Sequence, residues 1–369
     1  MSAEPIVIVG AGPAGLAVAG ALRRRGRTAT ILEQSDRVGQ AWHTHYDRLH
    51  LHTHRDHSGL PGHPMPRTLP LYPSRRDVVD YLDAYAATFE IAPEFGQTAT
   101  TVRRQNGAWQ VDRADAPPLQ AQHVILATGL ANRPFVPDLP GREAFQGEIL
   151  HSKDYRRPDP FLGQRALVIG FGNSGGEIAL DLAETGVAVE MSVRGPVNIV
   201  SRDILGQPAQ VWSILLMRLP VGVADAITGP LRRLKMGDLT KYGLPKSPKG
   251  PMRQVVEDGR IPLLDIGTIG AIKRGAIVVR PGIDTLTPNG ARFVDGRLAD
   301  FDAVIAATGY RTDLGQLLPD HADRLDDHGR PNGLVGEPGL HFCGYRPVST
   351  GQLRQIGLEA EAIAKSLTG

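Results

Sequence analysis

The sequence predicts an α/β fold built from two Rossmann-like dinucleotide-binding domains, because two different signals each occur twice. In both copies a short apolar strand runs into a Gly-x-Gly-x-x-Gly motif, which opens a helix rich in alanine and leucine and leads to a second strand. The motifs begin at Gly10 and Gly170, and apolar strands that end in Ala-Thr-Gly follow at 123–129 and 303–309. This order of elements is typical of nucleotide-binding α/β folds.

The first glycine motif predicts a dinucleotide site. Gly10 allows a tight turn, Gly12 lets the backbone approach a pyrophosphate, and Gly15 lets the helix and the strand pack closely. Glu33 lies 18 residues after Gly15, where a carboxylate can accept a hydrogen bond from an adenosine ribose. This acid suits the adenosine of FAD. The predicted contacts are Gly10, Gly12, Pro13, Ala14, Gly15, Glu33 and Gln34.

The second glycine motif ends differently, and the difference bears on which dinucleotide it binds. Arg194 lies 19 residues after Gly175, and no acid occupies the ribose position. A guanidinium can pair with a 2′-phosphate that a carboxylate would repel, so the sequence favours NADPH over NADH. Alternatively, Arg194 is a solvated charge at a strand end. The predicted contacts are Gly170, Gly172, Asn173, Ser174, Gly175 and Arg194.

The Ala-Thr-Gly strands are expected beside the two motifs, with glycine where the backbone lies close to a ligand. They add Ala127, Thr128 and Gly129 to the first site and Ala307, Thr308 and Gly309 to the second. The order of the elements predicts a discontinuous FAD domain, 1–157 and 300–369, interrupted by an NADPH domain, 158–299, with a helical insert at about 196–262. Such an arrangement predicts a flavoprotein with a glutathione-reductase-like architecture.

The composition excludes several classes of function. Lys and Arg number 41 and Asp and Glu 39, and this net charge of +2 gives no reason to expect nucleic acid as a partner. The single cysteine, Cys343, excludes an intrachain disulfide, a redox pair of cysteines and a cysteine-based metal site. No membrane span or targeting segment is visible, so the cytoplasm is expected. The apolar stretch 211–234 is expected to cover a core or a substrate pocket rather than to lie on a membrane surface.

Several stretches of the chain carry a family resemblance. The string FQGEILHSKDY at 145–155 is similar to the identifying motif of class B flavin-dependent monooxygenases. Other matching stretches are YDRLHLHT (46–53), YPSRRDVVDYL (72–82), KYGLPKSPKGP (241–251), GRIPLLDIGTIGAIKRG (259–275) and FDAVIAATGYRTD (301–313). On these residues the chain resembles the YUCCA-type flavin-containing monooxygenases, which convert indole-3-pyruvate to indole-3-acetate.

The resemblance implies FAD and NADPH as cofactors. In such enzymes NADPH reduces FAD, the reduced flavin captures O2 as a C4a-(hydro)peroxide, and one oxygen atom reaches a small-molecule substrate. A 2-oxo acid such as indole-3-pyruvate would be attacked at its carbonyl and lose CO2. The alternatives are N- or S-oxygenation, Baeyer–Villiger oxidation, electron transfer by an NADPH-dependent flavin reductase without oxygen insertion, and redox sensing without catalysis.

The resemblance also assigns further cofactor contacts. Those beside FAD are Gln40, Trp42, His50 and Val102, of which Gln40 replaces a glycine that related sequences often carry. Ser74 and Arg75 lie in a segment that the family places near NADPH. Ser74 follows a proline and precedes a helical pattern, so it also has the pattern of a helix N-cap.

Three residues are candidate catalytic groups. His52 lies where amine-oxidising relatives have an asparagine beside the flavin, and it could donate to the oxygenated cofactor or pack against its ring. Arg354 would favour a carboxylate substrate if it faced the cavity, and otherwise has a surface or structural role. Tyr310 could lie near the nicotinamide or fill the core.

Seven of the 12 histidines fall between positions 43 and 63. Their His-x-His spacing could recruit a transition metal, but no set of Asp, Glu or Cys completes a defined geometry, so no metal site is predicted. The expected partners are a small-molecule substrate and O2. A homo-oligomer is compatible with the sequence.

Overall fold

The computed structural model describes residues 4–331 and 337–368, except for the side chains of residues 231–234. Within these residues two five-stranded parallel sheets each contain one glycine motif. The predicted α/β fold class with two dinucleotide-binding folds is therefore confirmed.

The strands and helices are numbered in chain order. The strands are β1 (Ile6–Val9), β2 (Thr30–Glu33), β3 (Glu94–Phe95), β4 (Ala99–Gln105), β5 (Ala108–Arg113), β6 (Leu119–Ala121), β7 (His123–Leu126), β8 (Arg133–Pro134), β9 (Glu148–His151), β10 (Arg165–Ile169), β11 (Ala188–Ser192), β12 (Ile199–Ser201), β13 (Asp203–Ile204), β14 (Gln207–Pro208), β15 (Leu263–Asp265), β16 (Ile277–Arg280), β17 (Ile283–Thr287), β18 (Gly290–Phe293), β19 (Leu298–Asp300), β20 (Ala303–Ala306), β21 (Tyr310–Arg311) and β22 (Leu340–Phe342). The α-helices are α1 (Pro13–Arg23), α2 (Gln40–His43), α3 (Arg75–Thr88), α4 (Asn173–Glu184), α5 (Ala209–Leu216), α6 (Val221–Met236), α7 (Pro251–Asp258), α8 (Thr268–Lys273), α9 (Leu314–Leu317) and α10 (Gln352–Ser366).

The first sheet has the strand order β22-β7-β1-β2-β3 and contains the first glycine motif. β1 consists of four consecutive buried apolar residues, as expected for a parallel strand that is covered on both faces. On one face α1 and α10 share a core with the sheet, in which Ile8, Leu16 and Ile356 are buried. On the other face lies the antiparallel sheet β4-β5-β6, which contributes Trp109 and Val111.

The second sheet has the order β16-β11-β10-β20-β9 and repeats this plan. α4 and α8 cover one face, where Val168, Ile178 and Ile269 are buried together. The antiparallel sheet β17-β18-β19 covers the other face and contributes Leu286 and Phe293. In each half the antiparallel sheet directly precedes the strand that leads to Ala-Thr-Gly, so the repeat extends beyond the glycine motifs.

The strand pairing differs from the expected domain ranges in two places. β9 lies within the range 1–157 and β20 within 300–369, yet both strands belong to the second sheet. Ile305 of β20 is paired with Val168 of β10 on one side and with Leu150 of β9 on the other. The second Ala-Thr-Gly strand, β20, pairs with β10, the strand of its own glycine motif, and β9 pairs with the other edge of β20. The expected NADPH domain, 158–299, therefore leaves out β9 and β20, which are two strands of its sheet.

The segment expected as a helical insert contains α5, α6 and α7 together with the short strands β12, β13 and β14. Asp225 on α6 accepts the N–H groups of Met252 and Arg253 in the first turn of α7, each at 3.0 Å. Gln210 on α5 joins the insert to the first half of the chain. None of the described helices combines the length and the apolar composition needed to cross a lipid bilayer.

His341 on β22 is buried, and neither of its ring nitrogens has a hydrogen-bond partner among the described residues. Burial, with a smaller contribution from the neighbouring His123, lowers the pKa of His341 to about 4. In the unfolded chain the same ring binds a proton below about pH 6.5. Because the unfolded state then binds more protons, this group lowers the free energy of unfolding as the pH falls from about 6.5 to about 4.

We predict that His341→Leu flattens this pH dependence. The difference in slope from wild type should be up to about 1.4 kcal/mol per pH unit within that window. Urea unfolding at several pH values measures it, and the same substitution of the exposed His328 is the control. Equal slopes for His341→Leu and wild type would contradict the prediction.

Candidate functional site

The first glycine motif forms a cradle at the start of α1. Gly10 has a φ of +104°, and Gly12 directly precedes Pro13, the first residue of the helix. A Cβ on Gly15 would lie 1.9 Å from the carbonyl oxygen of Gly10, whereas a Cβ on Gly12 would meet no atom within 4 Å. Gly15 is therefore required for packing, and the space at Gly12 fits a phosphate at the helix N-terminus.

Glu33 at the end of β2 is held against this motif by protein donors. Its Oε2 accepts the N–H of Ala11 at 2.8 Å, and its Oε1 accepts the N–H and the hydroxyl of Ser35 at 2.8 and 2.7 Å. Of the roughly four acceptor positions of a carboxylate, these three donors leave one, which fits a ribose hydroxyl. The neighbouring Gln34 is exposed, and Ala14 is buried in the core.

Gln40 supplies a second observation that fits a bound cofactor. Gly39 has a φ of +63° and donates its N–H to the carbonyl of Ala11 at 3.0 Å, which places Gln40 beside the glycine turn. Oε1 of Gln40 is buried and has no partner among the described residues. An unpaired buried acceptor is costly, so this atom fits an N–H or O–H donor of a ligand. Trp42 is half-buried against the core around α1.

The Ala-Thr-Gly residues after β7 cross the first glycine turn. A Cβ on Gly10 would lie 2.7 Å from the carbonyl oxygen of Ala127. Thr128 donates its N–H to the buried hydroxyl of Tyr345 at 2.9 Å, and Gly129 follows with a φ of +89°. The prediction that this strand returns beside the motif is confirmed by its pairing with β1.

The second glycine motif has the same geometry. Gly170 has a φ of +107°, and a Cβ there would lie 2.5 Å from the carbonyl oxygen of Ala307. A Cβ on Gly175 would lie 2.3 Å from the carbonyl oxygen of Gly170, whereas one on Gly172 would meet no atom within 4 Å. This second cradle therefore also fits a pyrophosphate.

Neighbouring residues tie the second motif to the rest of the chain. Asn173 accepts the N–H of Leu264 at 2.7 Å through its side-chain oxygen. Thr308 donates its hydroxyl to the carbonyl of Phe135, and Gly309 has a φ of +85°. These contacts fix the turn in which the second predicted site lies.

Arg194 follows β11 and is exposed, with no ion-pair partner among the described residues. Arg280 on β16 forms an ion pair with Glu190 on the neighbouring strand β11, with a distance of 2.5 Å between Nε and Oε2. Arg194 is therefore available to a phosphate, and Arg280 is not. This placement is compatible with both interpretations of Arg194 given by the sequence.

Ser74 and Arg75 have structural partners. Ser74 caps α3 in a reciprocal capping box with Asp77, so the N-cap interpretation is confirmed. Arg75 donates to the carbonyl of His43 at 2.8 Å and forms an ion pair with Asp47 at 3.0 Å. Both residues hold the loop that follows α2.

The resemblance also assigns Val102 and His50 to FAD, and these two contacts stay predictions. Val102 is fully buried beside Trp109 in the core below the first sheet, so its predicted contact is through the backbone. His50 is exposed, and its Nδ1 lies 2.6 Å from the carbonyl oxygen of Arg48. Local pairing fixes both positions: β4 directs Val102 inward, and a bridge to Ser74 holds the backbone of His50.

A mainly apolar cavity of about 380 Å³ lies where both halves and the insert meet. His52 comes from the first half, Asn173 from the start of α4, and Gln352 from the start of α10. The insert contributes the apolar side chains of Ile204, Trp212, Leu216, Met252 and Ile261, and Leu264 of β15 lies beside them. Concave, apolar sites with a few polar groups are typical of small-molecule binding. The stretch 211–234 thus lines a pocket, as the sequence predicts.

Arg354 does not line this cavity. It lies in a separate shallow depression together with His57 and Glu361. Gln352, which lines the cavity, is two residues away on α10, and two residues are about 200° apart around a helix. The condition for binding a substrate carboxylate in the cavity is therefore not met, and the position of Arg354 agrees with the alternative surface role.

Tyr310 lies at the connection between the halves and not in the cavity. Its ring is edge-on to that of His151, with 4.9 Å between centroids, and burial raises the pKa of its phenol. The pairing of β21 with β8 fixes this position. His151 is bonded through one nitrogen to the carbonyl of Gly309 and through the other to the N–H of Lys153, each at 3.0 Å. These contacts give His151 a structural role in the connection.

Sequence reasoning missed Glu177 and Tyr46. Oε2 of Glu177 accepts the hydroxyl hydrogen of Tyr46 at 2.8 Å and lies 3.3 Å from Nε2 of His52. The available signal was a glutamate one helical turn after Asn173, on a helix most of whose buried residues are apolar. Of the three catalytic candidates, His52 alone lines the cavity.

The histidines between 43 and 63 have separate surroundings. His54 accepts the N–H of Asp56 and caps a short turn, and the ring of His63 lies against those of Tyr81 and Tyr85. In the described part of the chain, no group of three or more His, Cys, Asp or Glu residues is arranged to hold a metal ion.

Comparison with known proteins gives a consistent assignment. The model of the pyridine nucleotide-disulphide oxidoreductase family matches residues 7–204. The indole-3-pyruvate monooxygenase YUCCA1 of Oryza sativa subsp. japonica is 38% identical over 348 residues, which cover 92% of this chain and 86% of the relative.

Solved structures agree in fold. A mutant flavin monooxygenase from Stenotrophomonas maltophilia is 25% identical and has a TM-score of 0.77, covering 100% of this chain and 99% of its own. OTEMO in complex with FAD and NADP is 18% identical, has a TM-score of 0.73, and covers 99% of this chain and 85% of its own. At this lower identity the likeness shows the fold alone.

We predict that Gly172→Ala and Gly12→Ala affect different cofactors, the first NADP+ and the second FAD. Both variants should fold normally because a Cβ meets no atom at either position. Gly172→Ala should weaken NADP+ binding about tenfold, which is about 1.4 kcal/mol, and keep the FAD content, whereas Gly12→Ala should lose FAD.

Calorimetric titration with NADP+, flavin absorbance and thermal unfolding measure these effects. Gly175→Ala is the matched contrast, since its Cβ would overlap the carbonyl of Gly170 and should lower the melting temperature. Unchanged NADP+ affinity in Gly172→Ala would show that the second cradle is not the phosphate site.

We predict that Arg194→Ala raises the KM for NADPH about tenfold or more and leaves the KM for NADH nearly unchanged. The control is Arg292→Ala, which removes an exposed arginine paired with Asp284 and should change neither constant. Steady-state kinetics with both coenzymes decide the matter. An equal loss with NADPH and NADH would refute a role in binding the 2′-phosphate.

Proposed function

The chain belongs to the pyridine nucleotide-disulphide oxidoreductase family and, within it, to the YUCCA-type flavin-containing monooxygenases, and on that premise we propose that it oxidises indole-3-pyruvate to indole-3-acetate. It is an oxidoreductase that uses FAD and NADPH, and O2 is the proposed co-substrate. The choice of substrate rests on one observation, the apolar cavity that is bounded by residues of both nucleotide folds.

The cofactors have defined places in this proposal. When bound, FAD supplies the centre that accepts a hydride from NADPH and reacts with O2. Gly12 and Glu33 would hold its pyrophosphate and ribose, and Oε1 of Gln40 would accept a hydrogen bond from it. Gly172 and Arg194 would hold the pyrophosphate and the 2′-phosphate of NADPH.

The cavity has the size and the lining for a planar aromatic acid. An indole ring would lie among side chains such as Trp212 and Leu216, and a contact between aromatic rings contributes about 0.5–1.5 kcal/mol beyond area burial. Lys235 also lines the cavity. Its ammonium donates one hydrogen bond to the carbonyl of Asp203 at 2.7 Å and has two further hydrogens for a carboxylate.

Polar contacts hold the insert against the first nucleotide fold, to which the segment between β22 and α10 also belongs. They close the cavity on that side. The buried amide of Gln210 accepts the N–H of His54 at 2.8 Å and donates to the carbonyl of Thr350 at 2.7 Å. Ser213 and Ser349 share a hydrogen bond of 2.6 Å between their hydroxyls. The lining supplied by the insert is thereby fixed relative to His52, which limits the access of water to the reacting groups.

Disulphide chemistry, which the family name mentions, does not apply to this chain. Cys343 is its single cysteine, so no cysteine pair is available to exchange with a disulphide. The thiol is fully buried, and burial raises its pKa, which keeps it in the unreactive protonated form. The oxidising equivalents of the reaction therefore pass through the cofactors.

Two further expectations belong to the proposal. The proposed location is the cytoplasm. A homo-oligomer is compatible with the sequence, and light scattering of the purified protein measures the state of assembly. Neither expectation affects the choice of substrate.

Product analysis tests the proposed reaction. The FAD-loaded enzyme, supplied with NADPH, air and indole-3-pyruvate, should form indole-3-acetate and CO2 in equal amounts, one of each for every NADPH consumed. Hydrogen peroxide as the sole product would contradict oxygen insertion and favour a reductase. Turnover of amines or sulfides without any of indole-3-pyruvate would favour the N- or S-oxygenation alternative.

We predict that Leu216→Trp raises the KM for indole-3-pyruvate about tenfold, because the added ring occupies the cavity. Oxidation of NADPH without substrate should be unchanged. Leu215→Trp is the matched control, since Leu215 is the preceding residue of α5 and is 51% exposed. Equal kinetics of the two variants would show that the substrate binds elsewhere.

A further inference from the structure

Two buried side chains and one partly buried side chain join the two nucleotide folds beside the cavity. Tyr46 and His52 belong to the first half of the chain, and Glu177 belongs to α4 of the second glycine motif. Oε2 of Glu177 is 2.8 Å from the Tyr46 hydroxyl and 3.3 Å from Nε2 of His52. Glu177 is 2% exposed. A buried carboxylate requires donors that replace its lost hydration, and Tyr46 and His52 provide them.

The direction of both hydrogen bonds follows from the chemistry of the groups. Burial, together with the carboxylate of Glu177, raises the pKa of the Tyr46 phenol well above its usual range, so Tyr46 keeps its proton and donates it. An ionised carboxylate has no hydrogen to give, so Nε2 of His52 carries one. The tautomer of His52 is thus assigned from its partner.

The other nitrogen of His52 is left as an acceptor. In a neutral imidazole with hydrogen on Nε2, Nδ1 has a lone pair. Nδ1 of His52 is buried and has no partner among the described residues, and the ring lines the cavity. An acceptor in this position is satisfied when a ligand or a water molecule in the cavity brings an N–H or O–H group to it.

The charged groups nearby are engaged with one another. Arg48, on the segment that carries Tyr46 and His52, forms ion pairs with Glu184 and Asp181. Asp181 in turn accepts the hydroxyl hydrogen of Tyr155 at 2.7 Å. The hydrogen bond to Glu177 is therefore the contact that sets the ring of His52.

We propose that Glu177 is a positioning residue that holds His52 in the Nε2–H tautomer, so that Nδ1 accepts a hydrogen bond from the ligands that meet at the cavity. His52 then acts as an acceptor able to take up a proton, and not as the donor considered from the sequence. The identity of the ligands rests on the proposed function, whereas the tautomer does not.

Nitrogen-15 NMR of histidine-labelled, FAD-loaded enzyme tests the tautomer, with His52→Gln to identify the signals. In the wild type, Nε2 should have the shift of a protonated nitrogen and Nδ1 that of an unprotonated one. In Glu177→Gln, whose amide can donate to Nε2, the Nδ1–H form should appear. Glu184→Gln makes the same change two turns further along α4, where the side chain pairs with Arg48, and should leave the spectrum of His52 unchanged.

An Nδ1–H form in the wild type, or identical His52 spectra in wild type and Glu177→Gln, would overturn the proposal. Tyr46→Phe keeps it testable if Glu177→Gln does not fold. This variant removes the competing donor and keeps His52 beside Glu177, so the Nε2–H form should persist, and its loss would also overturn the proposal.

Three additions identify the donor to Nδ1: chemical reduction of the bound FAD, NADP+, and the proposed product indole-3-acetate. At least one should shift the Nδ1 signal, and no shift with any of them would overturn the acceptor role. In turnover, Glu177→Gln should lower kcat about tenfold or more with little change in the KM for NADPH, and should alter the pH profile. If the wild type does not oxidise indole-3-pyruvate, the proposed function fails, but the spectra still decide the tautomer.

Discussion

The approach of two backbone segments at each glycine turn is the constraint on which the rest of the structure depends. At the first turn a Cβ on Gly15 would overlap the carbonyl of Gly10, and a Cβ on Gly10 would overlap that of Ala127. The second turn repeats both overlaps at Gly170 and Gly175. Because these positions lack side chains, the helix can begin directly above the ends of two adjacent parallel strands. The helix N-terminus and the strand ends then face the same edge of the sheet, where ligands bind in open α/β folds.

The two halves meet through one segment of the first half that lies against the second. Tyr46 is buried in the apolar core of the second sheet, although it belongs to the chain before β3, and Leu49 packs against the same core. His52 follows three residues later at the cavity. The position of His52 is thus fixed by the fold that carries the NADPH motif as much as by the fold that carries the FAD motif, which explains why its hydrogen-bond partner lies on α4.

The elements that the sequence predicted well are those governed by local chemistry. Both glycine turns, the acid at the end of β2 and the N-cap of Ser74 depend on a few neighbouring residues, whose backbone and hydrogen-bond requirements are known. The failures concern packing over long distances in the chain. The pattern of β20 does not say which sheet it joins, and a helical pattern does not say which side of α10 faces the cavity, so the sequence left two roles open for Arg354. Glu177 was missed because a buried carboxylate is defined by its partners 125 and 131 positions away, His52 and Tyr46.

The nucleotide folds and the substrate cavity differ in how much they can determine the reaction. A fold of this kind accommodates several chemistries, and OTEMO shares it at 18% identity. The glycine turns are built from backbone geometry, which places cofactors but does not distinguish one small organic acid from another. The cavity walls come largely from the insert at 196–262, with Trp212 and Leu216 on α5. We therefore expect selection among substrates to depend on the insert, whereas the orientation of His52 is set where the two nucleotide folds meet.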